Sequence, residues 1–127
     1  LRQRNYELLF KIYEKYEQFF HLPRAREKAD VSWFAFPLTI RADAPFTRMD
    51  IVDYLEENLI QTRPYFAGNI MLQPAYEGMM DPKEVIEKYP VARKVTTDTF
   101  FLGTSPVIDK DKIDYIEMIL DKFINTL

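Results

Sequence analysis

The chain has no cysteine, one histidine and three glycines among its 127 residues. The missing cysteines exclude a disulfide scaffold and any cysteine-ligated zinc or iron–sulfur site within this sequence. A single His21 leaves little for histidine-based catalysis, and no metal site is expected. Three glycines are too few for a glycine-rich phosphate loop. No apolar run approaches the ~20 residues of a membrane span, and no secretory pattern opens the chain, so neither insertion nor secretion is expected. Nor is there an excess of positive charge. Lys and Arg number 17 against 20 Asp and Glu, interleaved, for a net −3. Nucleic-acid binding is therefore not expected. Glu56, Glu57, Asp111 and Asp114 fall at helical spacing and read as solvated faces, not as an acid–base pair. Lys11, Lys15 and Lys94 read as solvated helix lysines. There is no Ser–His–Asp constellation, internal repeat or low-complexity tract.

What is present is a core. The chain is 47% apolar and 15% aromatic, which argues against disorder. Its length fits one domain, 1–127, that buries roughly two-thirds of its unfolded surface. It begins at Leu1 without Met, inside what reads as a continuing helix, so a C-terminal fragment of a longer protein is expected.

Tyr6, Leu9, Phe10, Tyr13, Tyr16 and Phe20 predict a helix over residues 4–20, ended by Pro23. Leu22 to Asp30 is a charged connector, and His21 reads as a surface or helix-end residue. Residues 31–40 are aromatic and β-branched and predict a strand, with Pro37 marking a bulge or an edge position. Trp33 reads as core. Thr47 caps a helix over 48–58, with Asp50 in its first turn. Asp81-Pro82-Lys83-Glu84 opens a short helix to Tyr89, and another covers 91–97. Thr99 to Gly103 is a second strand. Asp109 caps a last helix striped by Ile113, Ile116, Leu120, Phe123 and Leu127. Several helices and few strands predict a two-layer α+β domain with a small antiparallel sheet.

One segment does not fit a plain core. Ile60 to Tyr76 sets Arg63, Asn69 and Gln73 among Phe66, Ile70, Met71 and Leu72. Pro64, Gly68 and Pro74 punctuate it, so it is neither one helix nor one strand. Such a winding segment suits the wall of a polar ligand site. Arg63 either grips a phosphate through its planar fork or pairs with a carboxylate of the domain. Asn69 and Gln73 suit polar contacts to a ligand; the alternative is Asn69 after Gly68 in a turn, bonding its own backbone. Tyr65 and Phe66 either wall the pocket or simply pack.

Three segments, in order, carry a resemblance: Ser32 to Pro37; Thr62-Arg63-Pro64 through Phe66-Ala67-Gly68-Asn69 to Gln73-Pro74; and Thr99 to Gly103 with Pro106, before a final helix bearing Tyr115. Together they resemble the C-terminal domain of the DegT/DnrJ/EryC1/StrS family of pyridoxal-phosphate sugar enzymes. Within it the chain is similar to the nucleotide-sugar 3-dehydrase branch, which acts on CDP-4-keto-6-deoxyglucose in lipopolysaccharide dideoxysugar synthesis. The Ala67 to Pro74 part is the specific one.

The resemblance implies the small domain of a type I pyridoxal-phosphate fold, with catalytic residues and the cofactor, pyridoxal or pyridoxamine phosphate, held mainly by a large domain that precedes Leu1. It implies substrate contacts from Arg63, Phe66, Asn69 and Gln73, packing of Phe34 near cofactor or sugar, a homodimer, a cytoplasmic location and a reductase partner. Aminotransferases of the family usually place a His after the first-strand aromatic. Here Phe34 follows Trp33, an apolar ring that excludes water but moves no proton. This implies the dehydrase, in which pyridoxamine phosphate condenses with the 4-keto sugar and a base expels the 3-hydroxyl. A sugar aminotransferase of the same family, or a stand-alone interaction domain, is the alternative. Leu72 departs from the basic or polar residue that relatives often carry before the Gln-Pro pair.

Overall fold

The computed structural model describes residues 1–127. It is an α+β domain with a four-stranded, fully antiparallel sheet. In chain order the elements are α1 (Arg2–Glu14), β1 (Phe20–His21), β2 (Ala35–Ile40), α2 (Arg48–Glu57), β3 (Thr62–Pro64), two 3-10 turns (Ile70–Leu72 and Pro74–Tyr76), α3 (Pro82–Lys88), α4 (Pro90–Asp98), β4 (Thr99–Gly103) and α5 (Lys110–Ile124). The strands lie in the order β1-β2-β4-β3.

Strand alternation decides the two faces of the sheet. Phe36, Leu38 and Ile40 of β2 and Phe100 and Leu102 of β4 point into one core. There they meet Leu9, Ile12 and Tyr13 of α1, Ile51 and Leu55 of α2, and Ile113, Ile116, Ile119, Leu120 and Phe123 of α5. Each large side chain so buried contributes about 1.5–3 kcal/mol. Neither α3 nor α4 contributes to that core, although α4 packs against β2 and runs directly into β4.

The caps hold where acids were expected to make them. Thr47 and Asp50 form a reciprocal capping box: the Asp50 N–H donates to Thr47 Oγ1, and Asp50 Oδ2 accepts from the Thr47 N–H at 2.7 Å. That backbone bond, with a second from the Thr47 hydroxyl, holds the Asp50 carboxyl below its usual range. Asp81 and Asp109 accept from the N–H groups of Lys83 and Lys112 to open α3 and α5.

Several expectations are corrected. The first helix stops at Glu14, and Phe20 and His21 are a strand paired with Ile40 and Thr39. Pairing outweighs helical periodicity here because Phe20 gains a buried place against Tyr13 and Phe46. Arg41 fixes the turn, donating from Nε to the Glu17 and Phe20 carbonyls. β2 begins at Ala35, not at residue 31; Trp33 lies outside it, half-buried and stacked on Tyr6 at 4.4 Å. The sheet has four strands, not two, because β1 and β3 are too short to show a period. β1 reaches only Thr39 and Ile40, so beside Pro37 the strand has a partner on one side only. Leu127 lies beyond α5 and is exposed. Glu56 is not a free carboxylate: it accepts from the Thr62 N–H and hydroxyl and ties the end of α2 to the start of β3.

Candidate functional site

The face of the sheet opposite the core carries the candidate site. Register places Phe101 of β4 between Pro37 of β2 and Arg63 of β3. Phe34 enters just before β2, and Phe66 follows two residues after β3. Their rings close around Phe101: Phe34 to Phe101 is 5.9 Å, Phe66 to Phe101 is 5.8 Å, and Phe34 stacks on Phe66 at 6.3 Å. Tyr65 meets Phe66 edge-on at 5.4 Å. Phe34 is 60% exposed and Phe66 68% exposed, so these rings form an open wall and not a core cluster.

Two local devices hold that wall. Phe66 adopts φ 50°, and its N–H donates to the Pro64 carbonyl at 2.8 Å. A phenylalanine in the left-handed region costs roughly 1–2 kcal/mol, and the turn it makes presents the ring to the groove. Gly68 is pressed against α4: a Cβ there would lie 2.8 Å from Thr96 Cα. Thr96 Oγ1 accepts from the Asn69 N–H at 2.7 Å and donates to the Ala92 carbonyl at 2.8 Å. On the other side, the buried Thr104 hydroxyl donates to the Trp33 carbonyl at 2.6 Å and sets the approach to Phe34.

A groove of about 490 Å³ opens on this wall, lined by Arg2, Phe34, Gln61, Arg63, Phe66 and Phe101 together with backbone-dominated Pro64, Gly103, Thr104 and Ser105. It brings together three of the five sequence-predicted site residues: Phe34, Arg63 and Phe66. Arg63 makes no ion pair, so the alternative of a domain carboxylate is not realised. Asn69 and Gln73 do not line the groove. Asn69 is buried, its Oδ1 accepts from the Met71 N–H, and its Nδ2 has no partner. Gln73 Nε2 donates to the Ala67 carbonyl at 2.8 Å. Both amides fold the winding segment on itself. A neighbouring groove of about 580 Å³ lies between Leu59, Tyr115 and the start of α5. It holds Asp109 and Asp111, has no arginine and contains none of the predicted site residues; a further groove of about 820 Å³ includes Gln73 but no arginine.

Arg2, Gln61 and Phe101 also line the groove, and the sequence reading missed them. Phe101 had a signal: of adjacent Phe100 and Phe101 on a strand, only one can face the core. Gln61 and Arg2 had none, since their place follows from β3 and α1 meeting the end of β4.

The profile of the DegT/DnrJ/EryC1/StrS aminotransferase family matches residues 1–121. The chain belongs to that family. Over 122 residues it is 30% identical to lipopolysaccharide biosynthesis protein RfbH of Salmonella typhimurium, covering 96% of this chain and 28% of that protein. It is 39% identical over 103 residues to a dTDP-4-dehydro-2,6-dideoxy-D-glucose 3-dehydratase of Saccharopolyspora spinosa, covering 81% of this chain and 22% of the relative. Among solved structures, the aminotransferase from Psychrobacter cryohalolentis superposes with a TM-score of 0.83 at 15% identity, over 98% of this chain and 34% of its own. An E. coli GDP-4-keto-6-deoxy-D-mannose-3-dehydratase with bound hydrated pyridoxal phosphate gives 0.70 at 21%, over 94% and 30%. These likenesses establish the small-domain fold. The chain spans between 22% and 34% of the length of these relatives and aligns with their C-terminal part.

The groove alone does not fit the family's cofactor. No Lys, His, Asp or Glu lines it, so it offers neither an amine for a Schiff base nor an acid for a pyridine nitrogen. Lys15 and Lys94 are engaged with Glu117 and Asp98, and the lone His21 pairs across to Thr39, at the far end of β2 from Phe34. What the family domain presents is an aromatic wall with two cations.

Proposed function

We propose that this chain is the C-terminal domain of a pyridoxamine-phosphate-dependent nucleotide-sugar 3-dehydrase, which removes the 3-hydroxyl of a 4-keto-6-deoxy sugar nucleotide. The observation that carries this reading is the convergence of Phe34, from just before β2, with Arg63 and Phe66, from the winding segment, on one groove with no competing carboxylate. Phe34 and Phe66 exclude water from the sugar side, and Arg63 supplies a fork for a phosphate. Asn69 and Gln73 act by positioning the wall. The names of two relatives include a 3-dehydratase activity, and Phe34 offers no proton where family aminotransferases carry His. We place the parent protein in the cytoplasm as a homodimer, with its large domain holding the cofactor and a reductase completing the deoxygenation.

The test uses the whole protein loaded with pyridoxamine phosphate and offered CDP-, dTDP- and GDP-4-keto-6-deoxy sugars. Mass analysis should show loss of the 3-hydroxyl without an amino donor. Formation of a stable amino sugar with a donor would instead assign an aminotransferase, the activity in the family's description. Absence of cofactor binding would leave an interaction domain. Arg63→Gln should raise KM about tenfold with kcat changed far less, the signature of lost ground-state binding.

A further inference from the structure

Helix α4 adds nothing to the main core, yet it makes one hydrogen bond to the winding segment, and that bond falls on Thr96. The Thr96 hydroxyl turns back to donate to the Ala92 carbonyl, one helical turn earlier, at 2.8 Å. This fixes its rotamer and leaves its oxygen free to accept from outside the helix. The Asn69 N–H reaches it there at 2.7 Å. Thr97 makes the same backward bond to the Arg93 carbonyl, at 3.3 Å, but it is exposed and accepts from nothing. Gly68 seats on the same residue, since a Cβ there would lie 2.8 Å from Thr96 Cα. The helix is held from behind as well, where Arg48 of α2 donates to the Thr96 and Thr99 carbonyls.

We propose that Thr96 is a positioning residue for the groove, acting through Asn69 on Phe66. The inference rests on the dehydrase reading only for the ligand that feels it. Asn69 is 4% exposed, and its Nδ2 already has no partner. Removing the Thr96 hydroxyl leaves a second donor of the same buried residue unpaired. A residue with two orphaned donors is relieved by moving towards water, not by staying in place. That movement does not stop at Asn69. The Gly68 N–H donates to the Tyr65 carbonyl at 3.1 Å and the Phe66 N–H to the Pro64 carbonyl at 2.8 Å, so consecutive turns join Asn69 to the groove. Phe66 is held at φ 50° and relaxes to a less strained backbone once its anchor is gone. Its ring then leaves Phe101 and Phe34. A hydroxyl on α4 that does not itself line the groove thus decides whether the wall stands.

The experiment compares three variants of the whole protein with wild type. Thr96→Val keeps the shape and removes the hydroxyl, Thr96→Ser keeps the hydroxyl, and Thr97→Val is the control on the exposed face of α4. Two quantities are read: amide hydrogen exchange without ligand, and kcat and KM with the CDP-, dTDP- and GDP-4-keto-6-deoxy sugars. Thr96→Val should speed exchange at Phe66 and Gly68 about tenfold while Phe100 to Leu102 of β4 exchange as in wild type. KM should rise about fivefold with kcat changed far less. Thr96→Ser should restore both quantities, and Thr97→Val should change neither. A Thr96→Val protein with a lower melting temperature but wild-type exchange at Phe66 and Gly68 would overturn the proposal. So would faster exchange with KM unchanged, or a Thr96→Ser protein as defective as Thr96→Val, since the methyl group would then be what matters. If the local loosening and its rescue appear but wild type dehydrates no sugar, the dehydrase reading falls and the anchor stands.

Discussion

Leu59 occupies the left-handed region at φ 61° while 92% of it faces solvent. It sits just past α2 in a Schellman closure: the Ile60 N–H donates to the Leu55 carbonyl at 2.9 Å and the Leu59 N–H to the Glu56 carbonyl at 3.0 Å. That position is usually glycine, because a Cβ there is strained. Buried Ile60 and Leu55 supply the accompanying apolar contact, so the motif stands despite the leucine. Leu59→Gly should therefore raise unfolding free energy by about 1 kcal/mol, read as a higher urea midpoint with an unchanged slope. A drop would mean that the exposed leucine makes a stabilising contact of its own. Phe66 is strained in the same sense, but its ring lines the groove, so relief there should come at the expense of ligand binding.

At the scale of elements, α1 and the loop after β4 are locked together by Asn5. Its Nδ2 donates to the Ser105 carbonyl at 2.7 Å and to the Ile108 carbonyl at 3.2 Å, and its Oδ1 accepts from the Arg4 guanidinium. The residue is fully buried, so Asn5→Ala deletes both bonds from inside the fold and should cost about 1–3 kcal/mol, although the Ser105 carbonyl keeps the Ile108 N–H and the Ile108 carbonyl keeps Arg4. Thermal denaturation checks the cost, and faster hydrogen exchange at residues 105–108 would show where it falls. Asn5 also illustrates what the sequence conceals. The caps at Thr47, Asp81 and Asp109 were legible because they act within four residues. The long stripe of α5 was legible because its period repeats, and the winding segment because proline and glycine interrupt it. The strands β1 and β3 were not, being short and defined only by partners far along the chain. Of the site, Arg63, Phe34 and Phe66 were legible through the motif they share with the family. Arg2 was not, since its place depends on α1 packing beside a strand about a hundred residues later.

For the whole molecule, the contact of the turn after α1 with α5 sets an alkaline limit. The Tyr16 hydroxyl donates to Asp121 Oδ1 at 2.7 Å, and this bond, with burial and neighbouring carboxylates adding to it, pushes its phenol up to about 12. The folded state keeps a proton that the unfolded chain releases near pH ~10. The stabilisation is therefore complete below pH ~10 and is lost as pH rises towards 12. Tyr16→Phe should be less stable than wild type at pH 8, and the difference should close by pH 12 in urea titrations; a constant gap would refute the link. The sheet has a further consequence. Both of its outer strands are stubs, β1 of two residues and β3 of three ending in Pro64. Neither offers enough free backbone to template a strand from another molecule, and proline cannot donate to one. The stretch of β2 that β1 leaves open carries Pro37, so that edge too is a poor template for fibril growth. The bare rings of Phe34 and Phe66 are instead an apolar surface through which copies of the chain can meet, and a ligand seated there should weaken that contact.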